Sequence, residues 1–144
     1  MKHKGAVMEY SGERFNDLMR AYHEYISSCD YIRMPKVYHA IVNMPSRRFW
    51  VSDIRAALVI SAMLRGEDAL RGMWPLKKEM YREIYSRVIA LRNAHPELTV
   101  SELCSRVISQ PAPKFYLTPG SAKMLICKEK KRWMQERLKK LRFL

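Results

Sequence analysis

The sequence reads as a mainly α-helical protein in which a helix–helix–short strand–helix unit occurs twice in tandem. The two copies are expected to pack as one pseudo-twofold globule with a long basic C-terminal helix. Three observations lead there. The composition leans towards Ala, Leu, Met, Arg, Lys and Glu, with only 5 glycines in 144 residues. Apolar residues recur at helical spacing through most of the chain. Two long stretches also align without a gap at an offset of 66 residues.

The alignment is clearest where residues 44–60, MPSRRFWVSDIRAALVI, meet residues 110–126, QPAPKFYLTPGSAKMLI. Pro45/Pro111, Phe49/Phe115, Ala56/Ala122 and Ile60/Ile126 are identical. Ser46/Ala112, Arg48/Lys114, Trp50/Tyr116, Val51/Leu117, Ser52/Thr118, Leu58/Met124 and Val59/Leu125 are conservative. Upstream, Val37, Ile41 and Val42 meet Leu103, Val107 and Ile108, while Phe15, Asp17 and Leu18 meet Tyr81, Glu83 and Ile84. The repeats therefore span about 14–60 and 80–126 within a single domain, 1–144, with a connector at 65–79 and a basic extension at 127–144. Two amphipathic helices could align by pattern alone, but the P-x-x-[RK]-F-[WY]-[VL]-[ST] element is not helical and aligns as well.

Within each unit the elements follow from local signals. The first helix carries Phe15, Leu18, Met19, Tyr22, Tyr25 and Ile26 on one face, and in the second copy Tyr81, Ile84, Tyr85, Val88 and Leu91. A break at Asp30, or at His95 and Pro96, precedes a short second helix. Pro35 in an early helical position and the Thr99–x–x–Glu102 capping box mark its start. Pro45 and Pro111 end it. Residues 48–51 and 114–117 then read as one short strand each, able to pair with one another across the pseudo-twofold axis. The third helix opens at Ser52 and at Thr118–Pro119 with hydroxyl N-caps. In the first copy its nearly continuous apolar run to the stop at Gly66 predicts a central helix buried on most sides. In the second copy it runs on into basic residues and should project into solvent. The connector, with Gly66, Gly72 and Pro75, is expected to dock through Trp74.

The chain is long enough to bury about two-thirds of its unfolded surface without a staple. Cys29, Cys104 and Cys127 are odd in number and lack CxxC spacing, which disfavours a disulfide framework or a thiolate metal site and suggests a reducing compartment. The apolar stretch after Lys2 and Lys4 is too short for a signal-peptide core, and the run 56–64 falls far below the roughly 18 residues of a membrane span. A soluble, cytoplasmic protein is expected. His3, His23, His39 and His95 are scattered, so no metal site is expected. Ser52 and Thr118 are explained by capping, and the glycines never cluster into a phosphate loop. The expectation is a protein that is not an enzyme and uses no cofactor.

Charge points elsewhere. Residues 1–72 hold 11 Lys and Arg against 8 Asp and Glu, whereas residues 73–144 hold 16 against 6. Such an asymmetric field attracts polyanions, with nucleic acid first among them. Two cationic surfaces are candidates. One is the C-terminal helix, with Lys128, Lys130, Lys131, Arg132, Arg137, Lys139 and Lys140; its bland alternative is a solvated helix end. The other is the strand–helix junction, with Arg47, Arg48 and Arg55 in one copy and Lys114 and Lys123 in the other, beside helix N-termini suited to phosphate. Trp50 and Tyr116 could stack on bases, though core packing explains them more simply. The leading expectation is binding of double-stranded DNA by a helix-turn-helix-like protein of regulatory or architectural type. The connection of about eight residues between the second and third helices is longer than the usual turn of about three or four. RNA binding is also open. The alternative is an assembly module docking on an acidic protein partner through Trp133, Met134, Leu138, Leu141, Phe143 and Leu144.

Overall fold

A computed structural model describes residues 4–142, with side chains from Tyr10 onward. Six helices run in the order α1 (Lys4–Ser27), α2 (Met34–Val42), α3 (Asp53–Leu64), α4 (Pro75–Ala94), α5 (Val100–Ile108) and α6 (Pro119–Arg142). The start signals in the sequence act as expected. Ser52 Oγ accepts from the Arg55 amide at 3.1 Å, and Thr118 Oγ1 accepts from the Ser121 amide at 3.1 Å. The Thr99/Glu102 capping box closes in both directions. Each bond satisfies an amide that the first helical turn leaves without a partner. Arg65 caps the C-terminus of α3, and Gly66 follows with φ +81°, a conformation that a side chain would strain.

The helices gather into two cores. In the first, Phe49, Ala56, Val59 and Ile60 from the α3 side close over Tyr81, Ile84 and Val88 of α4 and Leu103, Val107 and Ile108 of α5. In the second, Ala122 and Ile126 of α6, with Phe115, close over Leu18, Ala21 and Tyr22 of α1 and Val37, Ile41 and Val42 of α2. Each third helix thus packs on the first two helices of the other half of the sequence: α3 on α4 and α5, and α6 on α1 and α2.

Four expectations are corrected here. The short strands at 48–51 and 114–117 do not form. The one antiparallel bridge among the described residues lies just before them, Ser46 with Ala112, each amide donating to the other's carbonyl at 3.0 Å. Beyond it the Phe49 amide turns to the Ile108 carbonyl and the Phe115 amide to the Val42 carbonyl, both at 3.0 Å. These amides cap the ends of α5 and α2, so they are not available for a ladder. Second, α2 and α3 make no packing contact, so the helix-turn-helix-like arrangement within a unit is absent. Third, α3 is not central, because Ile54 and Leu58 are 60% and 58% exposed while only Ala56, Val59 and Ile60 are buried. Fourth, Trp74 does not dock. It is 82% exposed, and Leu70 fills the connector's place in the core, flanked by Ala69 and Met73.

A buried carboxylate ties α1 to the first crossing loop. Asp17, 1% exposed, accepts from Arg20 Nε and Nη2 at 2.9 and 2.7 Å, from the Arg47 amide at 2.8 Å and from Trp50 Nε1 at 3.0 Å. The same guanidinium reaches the Pro45 carbonyl at 3.0 Å. In the second half Arg87 bonds Glu83 at 2.9 Å and the Pro111 carbonyl at 2.9 Å, over a more exposed surface.

Candidate nucleic-acid interface

The basic surface is built on α6. Its first two turns are held by Ala122 and Ile126 in the second core, and past Ile126 the helix contributes to neither core, running beside α1 before it projects. Every residue from 127 to 142 is exposed except the half-buried Glu129. This stretch carries Lys128, Lys130, Lys131, Arg132, Arg137, Lys139, Lys140 and Arg142 against Glu129 and Glu136. Three of these cations in the last turn also suit the negative end of the helix dipole.

Not all of them are equally available to a ligand. Arg132 lies between Glu129 at 3.9 Å and Glu136 at 3.5 Å. Lys130 Nζ donates to Tyr22 Oη at 3.1 Å and sits over that ring, pinning the start of the projecting segment to α1. Arg137 lies 5.2 Å over the ring of Trp133. Lys128, Lys131, Lys139 and Lys140 are exposed and take part in no ion pair among the described residues. Phe143 and Leu144 lie outside the described residues, as do Lys2 and His3.

Beside α6 runs a groove of about 550 Å³, floored by α1. Phe15 and Trp133 line it with Arg14, Lys128 and Arg132. Arg14 was not singled out in the sequence. It lies on a helix of mixed charge, and only the approach of α1 to α6 brings it beside the basic segment.

The second expected surface does not assemble as a free cationic patch. Arg48 folds back on its own loop, donating to the Phe49 carbonyl at 3.1 Å and the Val51 carbonyl at 2.9 Å while covering the Trp50 ring at 5.1 Å. Lys114 is paired with Glu79 at 2.5 Å and lies over Tyr116. Arg47 is exposed, with Nε 3.8 Å from Asp17, and Arg55 and Lys123 are exposed on α3 and α6. Arg48 and Lys114 therefore serve the crossing loops. The aromatics are engaged as well: Trp50 with Asp17, Arg48 and Tyr10, and Tyr116 stacked on Phe49 at 6.0 Å. Burial, with Glu83 and Glu79 nearby, pushes the Tyr116 hydroxyl up to about 12.

Among the described residues no group of three His, Cys, Asp or Glu side chains could hold a metal ion. None of the described helices is long and apolar enough to cross a membrane. No family model, curated protein or solved structure matches this chain.

Proposed function

We propose that this protein binds nucleic acid without catalysis, with double-stranded DNA the favoured ligand, and that α6 beyond Ile126 is the contact surface. The observation that carries the reading is a helical arm outside both cores with eight cations and two carboxylates. Packing does not require such an arm, and its like charges repel until an anion neutralises them. Lysines free of internal partners suit phosphate oxygens, which set affinity and orientation rather than sequence preference. The three free thiols, Cys29, Cys104 and Cys127, fit a reducing, cytoplasmic setting.

The architecture belongs to the same reading. We infer a tandem duplication packed about a pseudo-twofold axis as one domain. Three observations support it. The bridge joins Ser46 to Ala112, positions 66 apart. The two crossing amides, Phe49 to Ile108 and Phe115 to Val42, are the same bond with the halves interchanged. Asp17 and Glu83, again 66 apart, each pair with an arginine of the next turn, Arg20 or Arg87, that reaches the Pro45 or Pro111 carbonyl. On this view the units exchange their third helices, and α6 is the exchanged helix that has been lengthened into an arm.

The test is binding of duplex DNA, single-stranded DNA and RNA by the full chain and by a chain ending at Ile126. The shorter chain keeps both cores. Duplex binding that is lost on truncation is the expected result. Preference for RNA would change the ligand, and absence of binding by the full chain at moderate salt would refute the reading.

A further inference from the structure

The arm carries more than charge. Met124, Cys127, Lys131, Met134, Leu138 and Leu141 follow one another at spacings of three, four, three, four and three residues. That is the a/d pattern of a coiled-coil seam, with a single lysine at one a position. The seam is open to solvent along its length, with Cys127 near its start lying beside Tyr38 of α2 and the stretch from Met134 to Leu141 clear of both cores. Ile126 and Leu125, on the opposite side of the helix, contact the second core, whereas Met124 is 74% exposed and Met134, Leu138 and Leu141 are each more than half exposed. Exposed apolar side chains scattered singly are ordinary, but a stripe of them along a projecting helix, broken here only by Lys131, is the kind of surface that marks a contact.

The flanks of the seam name its occupant. Counting from Met124 as position a, the e positions are Lys128, Gln135 and Arg142, and the g positions are Lys123, Lys130 and Arg137. Glu129 and Glu136 both fall at f, on the far side, where they cannot pair across a seam. A second copy of this chain would set cation against cation at almost every flanking position, which disfavours self-pairing. We infer that the seam takes an amphipathic helix of another protein with apolar a/d residues and acidic e/g residues. This contact does not rest on the nucleic-acid reading. Arg132, Lys139 and Lys140 stand at b and c and are left outside the seam.

The probe is a synthetic peptide of about three heptads with Leu at a and d and Glu at e and g. Two controls accompany it: an acidic peptide of the same composition with the a/d order scrambled, and a heptad peptide with Lys at e and g. Binding is measured by titration calorimetry against the full chain and against M134D/L138D. Both positions lie outside the cores, and an unchanged thermal transition verifies folding. The acidic heptad peptide should bind at least about tenfold more tightly than either control, and the double variant should lose at least about tenfold in affinity. Failure of the peptide to bind overturns the inference. So does equal binding by the scrambled peptide or by the variant, which would reduce the contact to charge alone. Sedimentation showing the full chain self-associating through Met134 and Leu138 would give the seam to a second copy. Loss of duplex binding by the variant, with no peptide bound by the wild type, would give it to nucleic acid.

Discussion

Replacing Asp17 with Ala removes a carboxylate that is 1% exposed and accepts four hydrogen bonds. The Trp50 indole N–H and the Arg47 amide lose their acceptor, at roughly 1–3 kcal/mol for each buried donor left unpaired. Arg20 loses two charge-assisted bonds, but it is 23% exposed and keeps Glu24 and the Pro45 carbonyl, both at 3.0 Å, so its charge is not stranded. That places the total near the lower end of the roughly 3–5 kcal/mol for breaking a buried pair, at about 3 kcal/mol. The matching change, Glu83→Ala, removes one ion pair whose members are 28% and 40% exposed, and should cost under about 1 kcal/mol. Urea unfolding of both variants reads the difference directly. With slopes of about 1–3 kcal/mol per M, the Asp17 midpoint should fall by at least about 1 M, with the slope unchanged, while the Glu83 midpoint barely moves. Equal small shifts would refute the view that Asp17 holds the first crossing loop to α1.

Three other outcomes follow from the packing. Tyr81 is fully buried and its hydroxyl has no partner in good hydrogen-bonding geometry, the Arg55 guanidinium being only a loose neighbour, so Tyr81→Phe should change stability by less than about 1 kcal/mol in the same urea assay; a loss of about 2 kcal/mol would mean that Arg55 satisfies the hydroxyl. Burial, with Asp53 nearby, pushes the Cys104 thiol up from 9.0 to about 11, so the folded state holds a proton that the unfolded chain releases in that window. Stability should be unaffected by this group below pH 9 and fall as pH rises towards 11, by up to about 1.4 kcal/mol per pH unit; Cys104→Ala should flatten that slope, and an unchanged slope would count against it. Ser46 Oγ donates to the Arg48 carbonyl at 2.8 Å and lies 3.2 Å from the Lys114 carbonyl, so Ser46→Ala should cost about 1 kcal/mol by thermal unfolding, whereas no loss would leave the bridge resting on its backbone bonds alone.

Much of the local structure was legible in the sequence because it is set by local chemistry. Ser52, Thr99 with Glu102, and Thr118 mark helix starts through bonds within one turn, and Gly66 marks a stop through its own φ. What sequence could not give was which helix covers which. The amphipathic pattern of α3 or α6 is the same whether the helix packs on its sequence neighbours or on the other half of the chain. The ten residues between α2 and α3 can span up to about 35 Å, enough for either course. For the same reason α3 looked buried all round. Its apolar content is high, but α4 and α5 cover a single face and leave Ile54 and Leu58 outside. Trp74 was the largest apolar residue in the connector, yet Leu70 fills the space available there.

The candidate site divides along the same line. The arm was legible because eight cations in fifteen residues are a property of composition. The junction surface was not, because whether Arg48 and Lys114 are free depends on the Phe49 and Val51 carbonyls and on Glu79, which only the fold brings near.

The most direct test of the functional claim is the salt dependence of duplex-DNA binding by the full chain and by a K128A/K139A/K140A variant. These lysines are exposed, and none is needed by either core. If each neutralises one phosphate, the log–log slope should become shallower by about 2.7, at about 0.9 for each contact. Binding that persists with the same slope would contradict the claim that the arm is the nucleic-acid contact.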